Sequence, residues 1–238
     1  MKTGHCVHCL NPLQKKTKDH VFPSSWYPVT TPENVQRWTV PSCAKCNGNF
    51  GEMEKDLFIR AAICVGPVKA EAAGLSRSAV ESMGVGVPGL SREEQAHRQT
   101  LKAKILQEMK PYVPGTPHLP GLGPHDGFPE DQQYQIPISE ALLKGVAAKI
   151  VRGCEYKLGG ERLVEEPYIL GIYFAEEANI GDVLGIFDHF ATPVHLGPGF
   201  QVKRVVPYDD PKTVLYKVDI WGTWTIYASI IPPETLTE

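Results

Sequence analysis

No apolar run in this 238-residue chain reaches the roughly 18 residues that a membrane-crossing helix needs. The opening residues, Met1 to Cys6, hold no apolar stretch of signal-peptide type. No membrane partner and a reducing, cytoplasmic setting are therefore expected. In that setting closely spaced cysteines are more often metal ligands than disulfides. The sequence also has no glycine-rich phosphate loop, no nucleophile elbow and no internal repeat. Nor does it carry a large charge of one sign, its net charge being −3. What it does have is an ordinary apolar content of 42%, enough to build a core.

The charge is unevenly spread. Residues 1–60 hold eight basic and five acidic side chains, a local +3, and the remainder carries −6. Local field matters more than total charge for a phosphate-bearing partner. The excess is equally compatible with an ordinary solvated surface.

The same stretch carries the motifs. Cys6 and Cys9 are two residues apart, and so are Cys43 and Cys46. Each such turn points two thiolates at one ion, and two turns complete a tetrahedral zinc shell. A closed four-cysteine shell leaves no open position, so the expected role of this zinc is structural. The residues between the pairs, Leu10 to Ser42, exceed the span of a simple zinc ribbon, so a further element must fold inside the gap.

Inside the gap, Asp19-His20-Val21-Phe22-Pro23 reads as a short strand stopped by proline. Neighbours on a strand face opposite ways, so Asp19 and His20 share a site only at a strand end or a bulge. Pro28 to Arg37 reads as a loop containing Asn34, and an Asx-turn is the plain role for that residue. From Cys43 the pattern is helical. Asn47, Glu54 and Phe58, seven and four residues apart, fall on one face. Asn47 opens that helix, where capping is its plain role, and Glu54 reads plainly as a solvated position. His5 and His8 flank the first cysteine pair and are expected on the surface.

Taken together, Cys-x-x-Cys, Asp-His-Val-x-Pro, a central Asn and Cys-x-x-Cys-Asn resemble the zinc-containing HNH endonucleases over residues 5–58. The resemblance implies a ββα-metal, treble-clef-like core and phosphodiester hydrolysis, on DNA before RNA. It implies His20 as general base and Asn34 as the residue orienting the loop and the base. Asp19 and Asn47 would hold a catalytic divalent metal, with Glu54 as a possible further ligand. Asn rather than His at the last motif position suits Mg²⁺ or Mn²⁺ better than a second zinc. Lys15, Lys16, Lys18 and Lys45 are the candidate phosphate contacts. The competing reading is a zinc-stapled module that binds nucleic acid or protein without cleaving.

The rest of the chain is less specific. Lys55 to Met83 reads as Ala-rich helix, broken at Gly66-Pro67 and near Gly74. Residues 84–90 read as a linker. Ser91 with Glu94 forms a capping box that opens a helix running to about Lys110. Its apolar stripe is Leu101, Ile105, Leu106 and Met109. Residues 111–137 are rich in Pro and Gly and read as a long loop or linker, with His118 and His125 as solvated loop residues. A helix from Ser139 to about Arg152-Gly153 should bury Leu142, Val146 and Ile150. Strands are expected at Tyr168–Phe174, Phe200–Val206, Val214–Ile220 and Thr223–Ile231, the last two as a hairpin, with a short helix over 178–190. Cys64 and Cys154 are expected as buried thiols.

The expected class is α+β. A nuclease core spans 1–65, a helical connector and linker 66–137, and an antiparallel α+β domain 138–238. No role is read for that last domain; recognising nucleic acid, forming a homodimer and sensing a trigger are the open alternatives.

Overall fold

A computed structural model describes residues 4–65, 70–84, 88–119, 121–124, 127–165, 168–174 and 181–233. Strand β1 (Thr17–His20) pairs antiparallel with β2 (Thr39–Ser42), Asp19 lying opposite Val40 and His20 opposite Thr39. Helix α1 (Ala44–Cys64) follows directly, with Cys43 as its N-cap. Helices α2 (Leu75–Ser82) and α3 (Arg92–Glu108) come next. The Ser91 hydroxyl accepts from the backbone N–H of Glu94, as the capping box requires. On α3 Leu101 and Ile105 are buried, but Leu106 is exposed. A position directly after Ile105 is turned about 100° away on a helix.

The Pro/Gly-rich stretch is tied down at both ends. Strand β3 (Lys110–Pro111) pairs with β4 (Tyr134–Gln135), and Arg60 of α1 donates to the Pro137 carbonyl at 2.7 Å. His118 is exposed, as expected of a loop residue; His125 lies outside the described residues.

Helix α4 spans Glu140–Leu158, with Ser139 as N-cap. It passes the Arg152-Gly153 pair where the sequence suggested an end. One interior glycine costs only about 1 kcal/mol of helix propensity, and packing outweighs that here. The buried face holds Leu143, Val146, Ala147, Ile150, Val151 and Cys154; Leu142 sits at its margin. Cys154 is fully buried, and Cys64 is only partly so.

Strand β5 (Ile169–Phe174), helix α5 (Gly181–Phe190), and strands β6 (Val194–His195), β7 (Phe200–Val205), β8 (Val214–Ile220) and β9 (Trp224–Ile231) complete the chain. The strands form a five-stranded antiparallel sheet in the order β5-β9-β8-β7-β6. Along β8, Val214, Tyr216, Val218 and Ile220 are buried and alternate with half-buried neighbours, the period-2 signature of a sheet with one principal core face. The opposite face carries a smaller cluster, in which Phe187 of α5 packs on Val205 and Tyr227. The architecture is α+β.

One hydrophobic core runs through all three stretches delimited above, from Val7 to Ile230. Its joint is a set of tryptophans. Trp26, on a 3-10 turn after Pro23, lies 5.4 Å from the Trp221 ring between β8 and β9. The Trp221 indole N–H donates to the Trp26 carbonyl at 2.8 Å, and the Trp26 indole donates to the Glu54 carbonyl. Both rings are fully buried, and each N–H has a partner, as buried indoles require. No helix of the described residues is long and apolar enough to cross a membrane.

Candidate functional site

The first cysteine pair sits on a tight hairpin. Leu10 N–H donates to the Cys6 carbonyl at 2.9 Å, and Leu10 takes a positive φ of 63° to close the turn. Val7 N–H donates to the Pro41 carbonyl at 3.0 Å, docking this hairpin on β2. The second pair spans the start of α1, where the Cys43 sulfur accepts from Cys46 N–H. The four sulfurs therefore converge within 4.8 Å of one another. Cys9 and Cys43 sulfurs lie 3.8 Å apart, close to the edge of a tetrahedron built on zinc–sulfur bonds of about 2.3 Å. Burial pushes the Cys6 thiol up, but backbone N–H groups of Cys9, Cys43 and His8 outweigh it and leave it at about 6. Burial and the neighbouring sulfurs push Cys46 strongly up. Thiolates crowded this closely need a cation to ionise together. The donor set fits zinc, and the four cysteines can hold one as a structural ion.

Beside this cluster lies a second group of ionisable side chains. Asp19 of β1 is buried. Its Oδ2 accepts from His8 Nε2 at 2.8 Å, and its Oδ1 is 3.2 Å from the Nζ of Lys149 on α4. The same ammonium is 2.5 Å from Glu54 Oε1 on α1. It also donates to the carbonyls of His20 and, at 3.4 Å, Val21. Lys149 has no exposed surface. The approach of α4 makes this reach possible. Gly153, one turn beyond Lys149, abuts Val21, and a Cβ there would stand 2.8 Å from a Val21 methyl.

The electrostatics follow from these distances. Burial opposes ionisation of Asp19, yet the His8 hydrogen bond and the Lys149 charge hold it below the usual carboxylate range. Burial raises Glu54 to about 7, with Lys149 opposing and the Asp19 charge adding to the rise. His20 is half-buried, and burial together with the charges of Arg37 and Lys149 lowers its pKa. His20 Nδ1 is buried without a hydrogen-bond partner. Arg37 is exposed and stacks over the Tyr27 ring at 4.8 Å.

The motif residues divide accordingly. Asp19 and Glu54 meet around one ammonium, which His20 joins only through its main-chain carbonyl. Glu54 is buried in an ion pair rather than solvated. Asn34 is exposed and Asn47 half-buried in the first turn of α1; neither side chain is hydrogen-bonded to Asp19 or His20. Lys15, Lys16, Lys18 and Lys45 are exposed and form no ion pair among the described residues. His8 overturns its surface expectation: its side chain is buried against Asp19 and the Phe50 ring.

Three residues at the site were not anticipated: His8, Arg37 and Lys149. Lys149 had a legible signal, since it follows Val146 by three on the buried face of α4. A lysine in such a stripe needs a buried partner. Nothing in the sequence named Asp19 as that partner, 130 residues away.

A divalent metal on Asp19 and Asn47 does not fit this arrangement. Both Asp19 oxygens are engaged, and a fully buried cation already stands beside them. Two like unit charges 4 Å apart in such surroundings repel by about 4 kcal/mol, and a divalent ion doubles that. No protein-family model, no curated protein and no solved structure matches this chain.

Proposed function

We propose that the ββα unit is a phosphodiester hydrolase acting on nucleic acid, DNA before RNA, with His20 as general base. The observation that supports it most is the setting of His20. It ends β1 between two zinc-ligand turns, with a pKa held low by burial, Arg37 and Lys149. A neutral imidazole at pH 7 is the form a general base needs. In this reading His20 takes a proton from water as the water oxygen bonds to phosphorus. The bond from phosphorus to the leaving sugar oxygen breaks, and the proton held on His20 returns to that oxygen. Arg37 and the exposed Lys15, Lys16, Lys18 and Lys45 neutralise backbone phosphates. Zinc on the four cysteines holds the two turns together and touches no substrate.

The resemblance to HNH endonucleases carries a second cofactor, Mg²⁺ or Mn²⁺ on Asp19 and Asn47, with Asn34 orienting the base. The donor set around Asp19 disagrees with that metal, both carboxylate oxygens being engaged by His8 and Lys149.

A second reading is a zinc-stapled module that binds nucleic acid or protein without cleaving. The closure of Asp19 by His8 and Lys149 favours it. Plasmid DNA and single-stranded RNA incubated with wild type and with His20→Ala separate the two. The hydrolase reading expects cleavage that falls at least about 100-fold in the variant. Intact substrates with wild-type protein, together with retained binding, would establish the module instead.

A further inference from the structure

The group around Lys149 has the make-up of a hard-cation site. Four oxygens surround one positive centre: a carboxylate oxygen each from Asp19 and Glu54, and the carbonyl oxygens of His20 and Val21. Oxygen shells of this kind are what Mg²⁺, Mn²⁺ and Ca²⁺ select. Here the centre is an ammonium carried in by α4 and fully buried. The remaining Asp19 oxygen is closed by His8. The ammonium already takes both carboxylates and both carbonyls that a divalent ion would need.

We infer that Lys149 is the resident cation of this acidic site, standing where a divalent metal would stand, and that the site works without one. Lys149 thereby becomes a positioning residue. It neutralises Asp19 and grips the carbonyl of His20 itself, fixing the end of β1 from which that imidazole projects. Only the catalytic consequence rests on the hydrolase reading; the cation assignment rests on the geometry alone.

The test uses the full chain with its zinc retained, zinc content being measured in every sample. Mn²⁺ is titrated while free Mn²⁺ is followed by electron paramagnetic resonance. Wild type should bind no Mn²⁺ that Asp19→Asn abolishes, up to millimolar concentrations. Lys149→Ala, which vacates the oxygen shell, should gain a Mn²⁺ site at least ten-fold tighter than anything in wild type. That site should vanish in Lys149→Ala/Asp19→Asn. Mn²⁺ bound by wild type and lost in Asp19→Asn overturns the inference, and so does a folded Lys149→Ala that gains no site. If Lys149→Ala fails to fold, the wild-type and Asp19→Asn titrations still decide. A cleavage arm in metal-depleted buffer should show a rate within two-fold of that with Mg²⁺. A ten-fold loss restored by Mg²⁺ overturns the inference. Absence of cleavage under every condition rejects the hydrolase reading and leaves the Mn²⁺ result standing.

Discussion

Helix α4 carries two buried charges six residues apart, and their surroundings are opposite in kind. Glu155 points to the C-terminal sheet. It accepts from Arg204 Nε at 3.0 Å and Nη2 at 3.2 Å, from Arg162 at 3.3 Å and from the Tyr216 hydroxyl. Its donors outnumber it, and both arginines reach solvent. Lys149 points to the N-terminal ββα unit, where it faces two carboxylates and two carbonyls with no water-exposed surface of its own. The first site is a saturated structural anchor. The second concentrates acidic groups around one cation beside a half-buried imidazole. Like charges converge on one buried group in both sites, but Arg162 and Arg204 keep contact with water whereas Asp19 and Glu54 are buried with Lys149; like charges confined without water invite a chemical explanation.

The largest effect expected concerns the metal cluster that shapes the second region. Cys43→Ser keeps the α1 N-cap, since serine caps at least as well as cysteine. It removes one zinc ligand, and structural zinc contributes about 10–16 kcal/mol in small zinc domains. Loss of bound zinc and of the N-terminal tertiary signals in NMR spectra should follow, and the signals of Phe200 and Trp221, which pack on Phe22 and Trp26, should shift with them. A variant that stays folded without metal would count against the staple.

Glu155→Ala should lower stability by about 3 kcal/mol, at the low end for a broken buried pair because Arg162 and Arg204 can turn to water. Urea denaturation measures this, and zinc content should not change. A change in zinc content would break the separation between the two regions.

Glu54 gives the two regions different pH responses. Its folded pKa of about 7 lies above its ordinary 4.5. Its contribution is therefore fully present below about pH 4.5 and is lost as pH rises through 7. Asp19, whose pKa is lowered, contributes above its ordinary value and loses that contribution on acidification. The Glu54 contribution should fall from pH 5 to pH 8 with a slope of at most about 1.4 kcal/mol per unit, opposed below pH 6.5 by His20, whose lowered pKa adds stability as pH rises. Glu54→Gln should flatten that slope, as measured by urea midpoints across the interval. An unchanged slope would show that Glu54 does not titrate there.

The smallest effect is at the approach of α4 to β1. Gly153→Ala gains about 1 kcal/mol of helix propensity but forces a methyl onto Val21, and overpacking costs about 1–3 kcal/mol. A net loss near 1 kcal/mol is expected by thermal or urea denaturation. A gain in stability would mean that the helix can withdraw, taking Lys149 with it.

Much of the fold was legible because its signals are local. The cysteine spacing, the Ser91 and Ser139 caps, and the alternation along β8 each act within a few residues. The misjudged details were those where packing overrode local preference. Gly153 reads as a helix end, yet it lies inside α4, where Val21, just past β1, leaves no room for a side chain. Leu106 reads as core, yet it faces out because α3 buries only a narrow stripe.

The candidate site divides in the same way. Cys6, Cys9, Cys43 and Cys46 could be paired from spacing alone, and Asp19, His20 and Glu54 could be singled out as chemistry-bearing side chains. Sequence also set the order of elements and the α+β class, since turn chemistry and hydrophobic period are properties of neighbouring residues. Which charges meet was decided by the tertiary structure alone. His8 lies eleven residues from Asp19, and Lys149 lies 130 away, and no local pattern encodes such a pairing. It arises because burial removes water from each of these groups, and the only compensation left is the partner that packing brings within hydrogen-bond reach.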